Sequence, residues 1–382
     1  EEKTGAVIFE AYGLSETYRN KGVVSKEDPV VKAAFSGEAI VLDDMRVDGR
    51  VKYKQATLDE GLVSQLTVAM QFKGQDIGVL RLYSPEPKRF YEQDIHLARA
   101  VASQCAVAIT NAKLYAEAIR GAQMAEQMRL AGLIQRKMIP ETAPQIEGLD
   151  IAASYVPCFD VGGDFYDFLK LDEHRIAVVI SDVMGKGMPA ALMMSGFRST
   201  VRAYAGAECS LGNFHQTITK LNEMACSECS DGEFITLFYA IFDAEHNTLT
   251  YCNCGHEPTI LLRDGAAIDL DKGGLVLGVT PDAEYEIGTV DLQDNDSLLF
   301  YTDGLVDAAN FDGDMWGRDA LLKAAQAHTM CTAGQMVRSI LGYRRRFVGL
   351  ARQIDDTSIV VVKKAVPGAC SECDRPECNE DI

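Results

Sequence analysis

The sequence predicts an α+β chain of two domains joined by a helix. Strand-length apolar runs alternate with segments of helical periodicity over residues 1–112, and again, more densely, over residues 141–366. A helical pattern without strand signals bridges the two, and 382 residues suit about two domains. Residues 113–140 are read as the linker and 367–382 as a Cys-containing tail.

In the first domain, Ala6–Glu10 reads as a short strand, Asp28–Ser36 as a helix and Ala39–Asp43 as a strand. Ser64–Phe72 and Ile77–Tyr83 read as two strands joined at Lys73-Gly74-Gln75-Asp76, a hairpin signal. From Glu92, apolar residues at Ile95, Leu97, Ala98, Val101, Ala102, Cys105, Ala108 and Ile109 give a broad helical face.

Gly61-Leu-Val-Ser64, Ile77-Gly-Val-Leu-Arg-Leu-Tyr-Ser84, Phe90-Tyr-Glu-Gln-Asp94 and Gln104–Tyr115 together resemble the GAF sensory domain family. The resemblance implies a GAF-type α/β domain, often dimeric, that senses a small ligand or a protein. The family's opening helix is missing and the chain starts Glu1-Glu2-Lys3 without Met, so an N-terminal truncation is expected. The pocket residues do not carry over and the GAF ligand stays unknown; service as a dimerisation scaffold is the alternative.

The helix continues from about Ile109 to Met138, with Leu130, Leu133, Ile134 and Met138 on one stripe. Gly121 and Gly132 are expected to weaken it, and Pro140 and Pro144 to end it. A stripe between two domains suggests a parallel coiled coil in a homodimer; packing on its own domain is the alternative.

In the second domain the organising stretch is Ile176–Leu192. An apolar run, Ile176–Ile180, reads as a buried strand; Asp182 follows, then Gly185 and Gly187, with Pro189 in the first turn of a helix. A carboxylate at a strand end beside a helix N-terminus suits a hard metal ion with phosphate nearby. The spacing is not that of a Walker A loop. Further strands are read at Ile151–Val156, to Leu171, and at Phe234–Asp243, Thr248–Cys254, Thr259–Leu262, Ser297–Tyr301 and Thr357–Val362; those starting at Phe234, Thr248 and Thr259 are expected to be successive antiparallel strands. Helices are read near Ala190–Ala205, Leu211–Ala225, Asp319–Ala327 and Ala333–Leu350. Sheets packed between helical layers follow.

Carboxylates recur at these strand ends: Asp164 with Asp167, Asp182, Asp303 with Asp307, and the pair Asp355-Asp356. One such Asp is ordinary turn chemistry. Several, if they converge, repel one another unless divalent cations lie between them. No His/Cys set competes, so hard ions, Mg²⁺ or Mn²⁺, are expected. A pair of such ions can activate a water for in-line attack on phosphorus.

The motifs Val161-Gly-Gly-Asp-Phe-Tyr-Asp167, Ser181-Asp-Val-Met-Gly-Lys-Gly187, Asn253-Cys-Gly-His-Glu-Pro258, Tyr301-Thr-Asp-Gly304 and Asp355-Asp-Thr-Ser358 resemble the metal-dependent protein phosphatase superfamily. They are most similar to its bacterial SpoIIE/RsbU-type branch, and the segment with Gln135 and Met138 resembles that branch's lead-in. The resemblance implies a protein phosphatase 2C-like α-β-β-α sandwich holding two Mn²⁺ or Mg²⁺ ions. Asp182 would bridge both ions, with the Val183 carbonyl supporting one. Asp164 would bind one ion; Asp303 and Asp355 would hold the other, with Asp356 the alternative to Asp355. Asp164, Asp182 and Asp303 are thus the expected catalytic residues, and Asp167 and Asp307 support them or lie at the surface. Met184 stands where animal-type members have a candidate acid His, so the general acid is open. His256 is weighed as a proton donor against a structural role, and Lys186 as a phosphate contact against a solvated lysine. The resemblance further implies a serine/threonine phosphatase acting on a STAS-type anti-sigma factor antagonist. A non-enzymatic phosphoprotein-binding module and a small-molecule phosphatase are the alternatives.

Composition narrows the partners. A net charge of −19, from 37 basic and 56 acidic residues, argues against nucleic acid or an anionic membrane. No apolar run reaches the length of a membrane span. The odd count of 11 Cys and the lack of a signal sequence favour a reduced, cytoplasmic protein. Cys226/Cys229 and Cys370/Cys373 form Cys-x-x-Cys pairs too far apart for a common zinc ribbon; shared metal or redox function is weighed against dispensable thiols.

Overall fold

The computed structural model describes residues 10–207, 213–230 and 232–365. Most of the expected strand Ala6–Glu10 and the whole 367–382 tail, with Cys370 and Cys373, lie outside them. The chain divides into two compact units, Glu1–Met124 and Ala125–Ile382.

The first unit contains α1 (Glu16–Arg19), α2 (Pro29–Phe35), β1 (Ile40–Leu42), α3 (Lys54–Asp59), β2 (Ser64–Phe72), β3 (Gln75–Ser84) and the first part of α4 (Glu92–Arg136). The strands form one antiparallel sheet in the order β1-β2-β3. The β2–β3 turn is shorter than the sequence suggests, because Lys73 and Gly74 both adopt positive φ, 49° and 80°, as a two-residue hairpin turn requires. Ala98 and Ala102 of α4 pack on Leu66 and Val68 of β2; their small side chains let the helix lie close to the sheet.

α4 runs unbroken for 45 residues through the expected 112/113 boundary, and its residues from Ala125 on belong to the second unit. That unit continues with β4 (Leu149–Val156), β5 (Phe165–Lys170), β6 (Arg175–Val183), α5 (Met188–Ala207), α6 (Phe214–Glu228), β7 (Ile235–Asp243) and β8 (Thr248–Cys254). Then come β9 (Thr259–Arg263), β10 (Ala266–Leu270), β11 (Gly273–Gly274), β12 (Gly288–Asp291), β13 (Ser297–Tyr301), α7 (Asp303–Val306), α8 (Gly317–Gln326), α9 (Ala333–Val348) and β14 (Thr357–Lys364).

Two sheets stack face to face, ordered β10-β9-β13-β14-β4 and β11-β8-β7-β6-β5, with β12 paired to β8. Phe238 of β7 meets Phe300 of β13 edge-on, ring centroids 5.4 Å apart, at their interface. α5 and α6 contribute Met194, Phe197, Phe214 and Leu221 to this core, and α8 and α9 close a second core on the outer face of the other sheet with Leu321, Met336 and Ile340. Central strands such as β6 are covered on both faces, hence their nearly unbroken apolar composition. One expectation is corrected. β9 does not continue the β7–β8 meander; it crosses to the other sheet and pairs with β10 and β13. The chain turns at Gly255, whose φ of 66° favours glycine.

Candidate active site

Antiparallel pairing decides where the acids lie. Phe165 opposes Ser181, so the start of β5 and the end of β6 share one end of their sheet, carrying Asp164 and Asp182. Tyr301 opposes Ile359, so the end of β13 and the start of β14 do the same for Asp303 and the Asp355-Asp356 pair. The sheets meet there: Thr302 Oγ1 donates to Asp164 Oδ2 at 2.6 Å, and Ser358 Oγ donates to the same oxygen at 3.0 Å.

Each acid has a distinct environment. Asp164 is 2% exposed, and burial, then the charge of Asp182, holds its carboxyl well above the ordinary range. Asp182 is also raised, first by burial; the hydrogen bond from Asp164 opposes this, while the charges of Asp303, Asp355 and Asp356 add to it. Each carboxyl thus disfavours ionisation of the other, because two buried charges side by side repel. Asp303, at the start of α7, is raised by burial and then by Asp355. Asp355 Oδ2 accepts from Lys186 Nζ at 2.7 Å. Asp356 turns inward, accepting the backbone amides of Cys158 and Gly163 at 2.8 Å each. Of the adjacent pair, Asp355 is the more open and holds Lys186 while Asp356 ties down backbone, and the charges of both bear on Asp182.

Glycine makes the close approach possible. A Cβ on Gly163 would lie 2.7 Å from the Val183 carbonyl oxygen and 3.7 Å from Asp182 Oδ1. A Cβ on Gly304 would collide with the Asp356 carbonyl. The donors gathered here are carboxylate and carbonyl oxygens, the chemistry that fits Mg²⁺ or Mn²⁺, and their mutual repulsion is what a divalent cation relieves. As placed, no three His, Cys, Asp or Glu groups among the described residues close on one ion. Asp355 is held by Lys186 and Asp356 by amides, while the hydroxyls occupy only one oxygen of Asp164, so a cation would draw on Asp182, Asp303, the other oxygen of Asp164 and a released Asp355.

Other expected residues take different places. Asp167 is fully buried and paired with Arg198 at 2.9 Å and Arg202 at 2.8 Å, both on α5; it anchors that helix. Asp307 caps α7 and is exposed. Lys186 is spent on Asp355 and the Ile354 carbonyl. His256 lies behind the cluster: its Nδ1 and Thr236 Oγ1 are hydrogen-bonded at 2.7 Å, and burial pushes its pKa down to about 4. Asn253 brackets its main chain at 2.7 and 2.9 Å, which fixes the loop that carries it. Sequence reasoning missed Thr302, Ser358 and Glu257, whose carboxyl is raised by burial and then by Asp303. It also missed the contact of Gln135 with Gly162. The motif blocks include most of these residues, but nothing in their spacing tells which side chains face the acids.

Among the described residues no helix is long and apolar enough to cross a membrane. The profile of a GAF domain matches residues 1–110, and that of Stage II sporulation protein E (SpoIIE) matches residues 172–365. The phosphoserine phosphatase RsbU of Bacillus subtilis is 31% identical over 254 residues, covering 65% of this chain and 74% of RsbU. The phosphoserine phosphatase RsbP of the same organism is 25% identical over 183 residues, covering 47% of this chain and 45% of RsbP. Among solved structures, the SiaA-PP2C domain of Pseudomonas aeruginosa superposes with a TM-score of 0.56 at 18% identity, covering 64% of this chain and 98% of that domain. The RsbU and RsbW domains of a Mycobacterium tuberculosis protein give 0.51 at 24% identity, covering 60% of this chain and 63% of theirs. The last two show a shared fold, and the matched SpoIIE segment spans half of this chain. With a GAF domain ahead of a protein phosphatase 2C-like sandwich, the chain belongs to the SpoIIE family of protein serine/threonine phosphatases.

Proposed function

We propose that this chain is a divalent-cation-dependent phosphatase that hydrolyses phosphoserine or phosphothreonine on a STAS-type anti-sigma factor antagonist, under control of its GAF domain. The observation that carries the reading is the convergence of Asp164, Asp182, Asp303 and Asp355 at one end of the stacked sheets, with Asp164, Asp182 and Asp303 all raised. Asp182 and the Val183 carbonyl, with Asp164, Asp303 and Asp355, would hold two Mn²⁺ or Mg²⁺ ions. When bound, such ions supply a nucleophilic water at neutral pH and offset charge on the phosphoryl group.

The chain's own groups do the rest. Asp164 is fixed by Thr302 and Ser358, which leaves one carboxylate oxygen to face Asp182. Asp356 fixes the Gly163 main chain beneath them. Lys186, 44% exposed, stands at the mouth, where its ammonium meets either Asp355 or an incoming phosphate. We take His256, whose charged form burial disfavours, to orient its loop rather than to act as the general acid.

The GAF unit contains a cavity of about 40 Å³ lined in part by Tyr18, Lys21, Gln65 and Arg81, room on the scale of a few water molecules. Leu130, Leu133 and Ile134 on α4 remain 47%, 45% and 65% exposed, which favours a second copy over packing within the chain. We read the organisation as GAF (1–112), helical linker (113–140), phosphatase (141–366) and tail, in a dimer.

The test is Mn²⁺-dependent release of phosphate from a phosphoserine STAS-domain protein. Asp182→Asn should lower turnover by more than about 100-fold, beyond what loss of a merely supporting group costs. Equal turnover by Asp182→Asn would refute the site, and preference for an aryl phosphate over the phosphoprotein would refute the substrate class.

A further inference from the structure

At its C-terminal end α4 presents Gly132 and Gln135 inward, one turn apart. Gln135 is 6% exposed. Its side-chain amide pairs with the Gly162 main chain in both directions: Nε2 donates to the Gly162 carbonyl at 2.8 Å, and Gly162 N donates to Oε1 at 2.9 Å. This satisfies two buried backbone groups that no strand or helix serves. Gly132 lets the helix approach that closely, since a Cβ there would collide with the Asp160 carbonyl.

The other side of the same turn faces the acids. A Cβ on Gly162 would collide with Asp356 Oδ2 and Tyr155 Oη, and Gly163 N donates to Asp356 Oδ2. Gly163 abuts the Val183 carbonyl, and Asp164 follows directly. Residues 162–163 are thus a bare strip of main chain between the helix and the carboxylate cluster. With no side chain between to absorb a shift, movement of the Gln135 amide is passed on to Asp164.

We propose that Gln135 is a positioning residue for the divalent-cation site, holding the Gly162 main chain so that Asp164 and the Val183 carbonyl face one another. The inference rests on the cation-site reading above. Partners that orient ligands without touching the ion typically cost 10–100-fold in affinity when removed, and Gln135 should behave likewise.

The experiment measures Mn²⁺ affinity by the paramagnetic resonance signal of the free ion, on the full chain, alongside the thermal midpoint in metal-free buffer. Gln135→Leu keeps the volume and removes both hydrogen bonds; it should weaken Mn²⁺ binding about 10–100-fold. Gln135→Glu keeps the acceptor for Gly162 N and exchanges only the donor; it takes the place of Gln135→Leu if that variant does not fold, and should weaken binding by at least about threefold. Thr332→Ala, which removes the capping box of α9, is the stability control and should leave affinity unchanged. Asp182→Asn should abolish binding; if it does not, the cation-site reading itself fails. If Asp182→Asn loses Mn²⁺ while the Gln135 variants bind as wild type, or if Thr332→Ala weakens binding equally, Gln135 only supports the fold and the proposal is overturned.

Discussion

His256 has catalytic credentials in the sequence, yet its imidazole is buried and hydrogen-bonded to Thr236. Its folded-state pKa of about 4 lies below the ordinary 6.5, so between those values the unfolded chain binds the extra proton. Its contribution to stability is therefore complete above about pH 6.5 and is lost as the pH falls toward 4, by about 3 kcal/mol in all. In urea titrations from pH 8 to 4.5, the stability advantage of wild type over His256→Gln should shrink on acidification. A constant gap would mean that the imidazole keeps its ordinary pKa in the fold, and a widening one that it already carries its proton there. At this scale the acids that converge were legible, because each sits beside an apolar run or a glycine. The inward role of Asp356 and the neutrality of His256 were not, because both depend on backbone partners distant in sequence, Cys158 and Gly163 in one case and Thr236 in the other.

Along the elements, the two glycines of α4 looked alike in sequence, as weak points of a helix. They are not equivalent. Gly121 has open space around its missing Cβ, whereas Gly132 is pressed against Asp160. Gly121→Ala should stabilise by about 0.5–1 kcal/mol through helix propensity. Gly132→Ala should destabilise by about 1–3 kcal/mol, as overpacking does. Chemical denaturation distinguishes the two, and equal effects would show that Gly132 is not seated as described. Long periodic helices and the β2–β3 hairpin were readable because period and turn chemistry agree. The short helices α1, α3 and α7, of 4, 6 and 4 residues, are too brief to show a period. The crossing of β9 between sheets follows from packing, which strand propensity does not encode.

For the whole molecule, two compact units imply two unfolding events. Mn²⁺ at about 100 times its dissociation constant should stabilise one of them by about 2.7 kcal/mol. That corresponds to a rise of about 5–10 °C in one calorimetric transition, the other staying in place. Equal movement of both would show that the units unfold together or that the ion binds elsewhere. The order of domains was visible in the sequence because each carries its own run of motifs. Which acids crowd one another was not, since that depends on two sheets closing on one another.

Asp167 has a practical consequence for reading mutants. It sits three positions from Asp164, yet its carboxylate pins Arg198 and Arg202 to the sheet. Neutralising it leaves the largely buried Arg198 without its carboxylate, while Arg202, 47% exposed, can turn to water, and a slackened α5 would disturb the loop that carries Lys186. An alanine or asparagine scan would then score Asp167 as indispensable for hydrolysis and tempt an experimenter to count it among the cation's partners. Lost turnover that returns on cooling or with an osmolyte would expose it as a rivet of the scaffold.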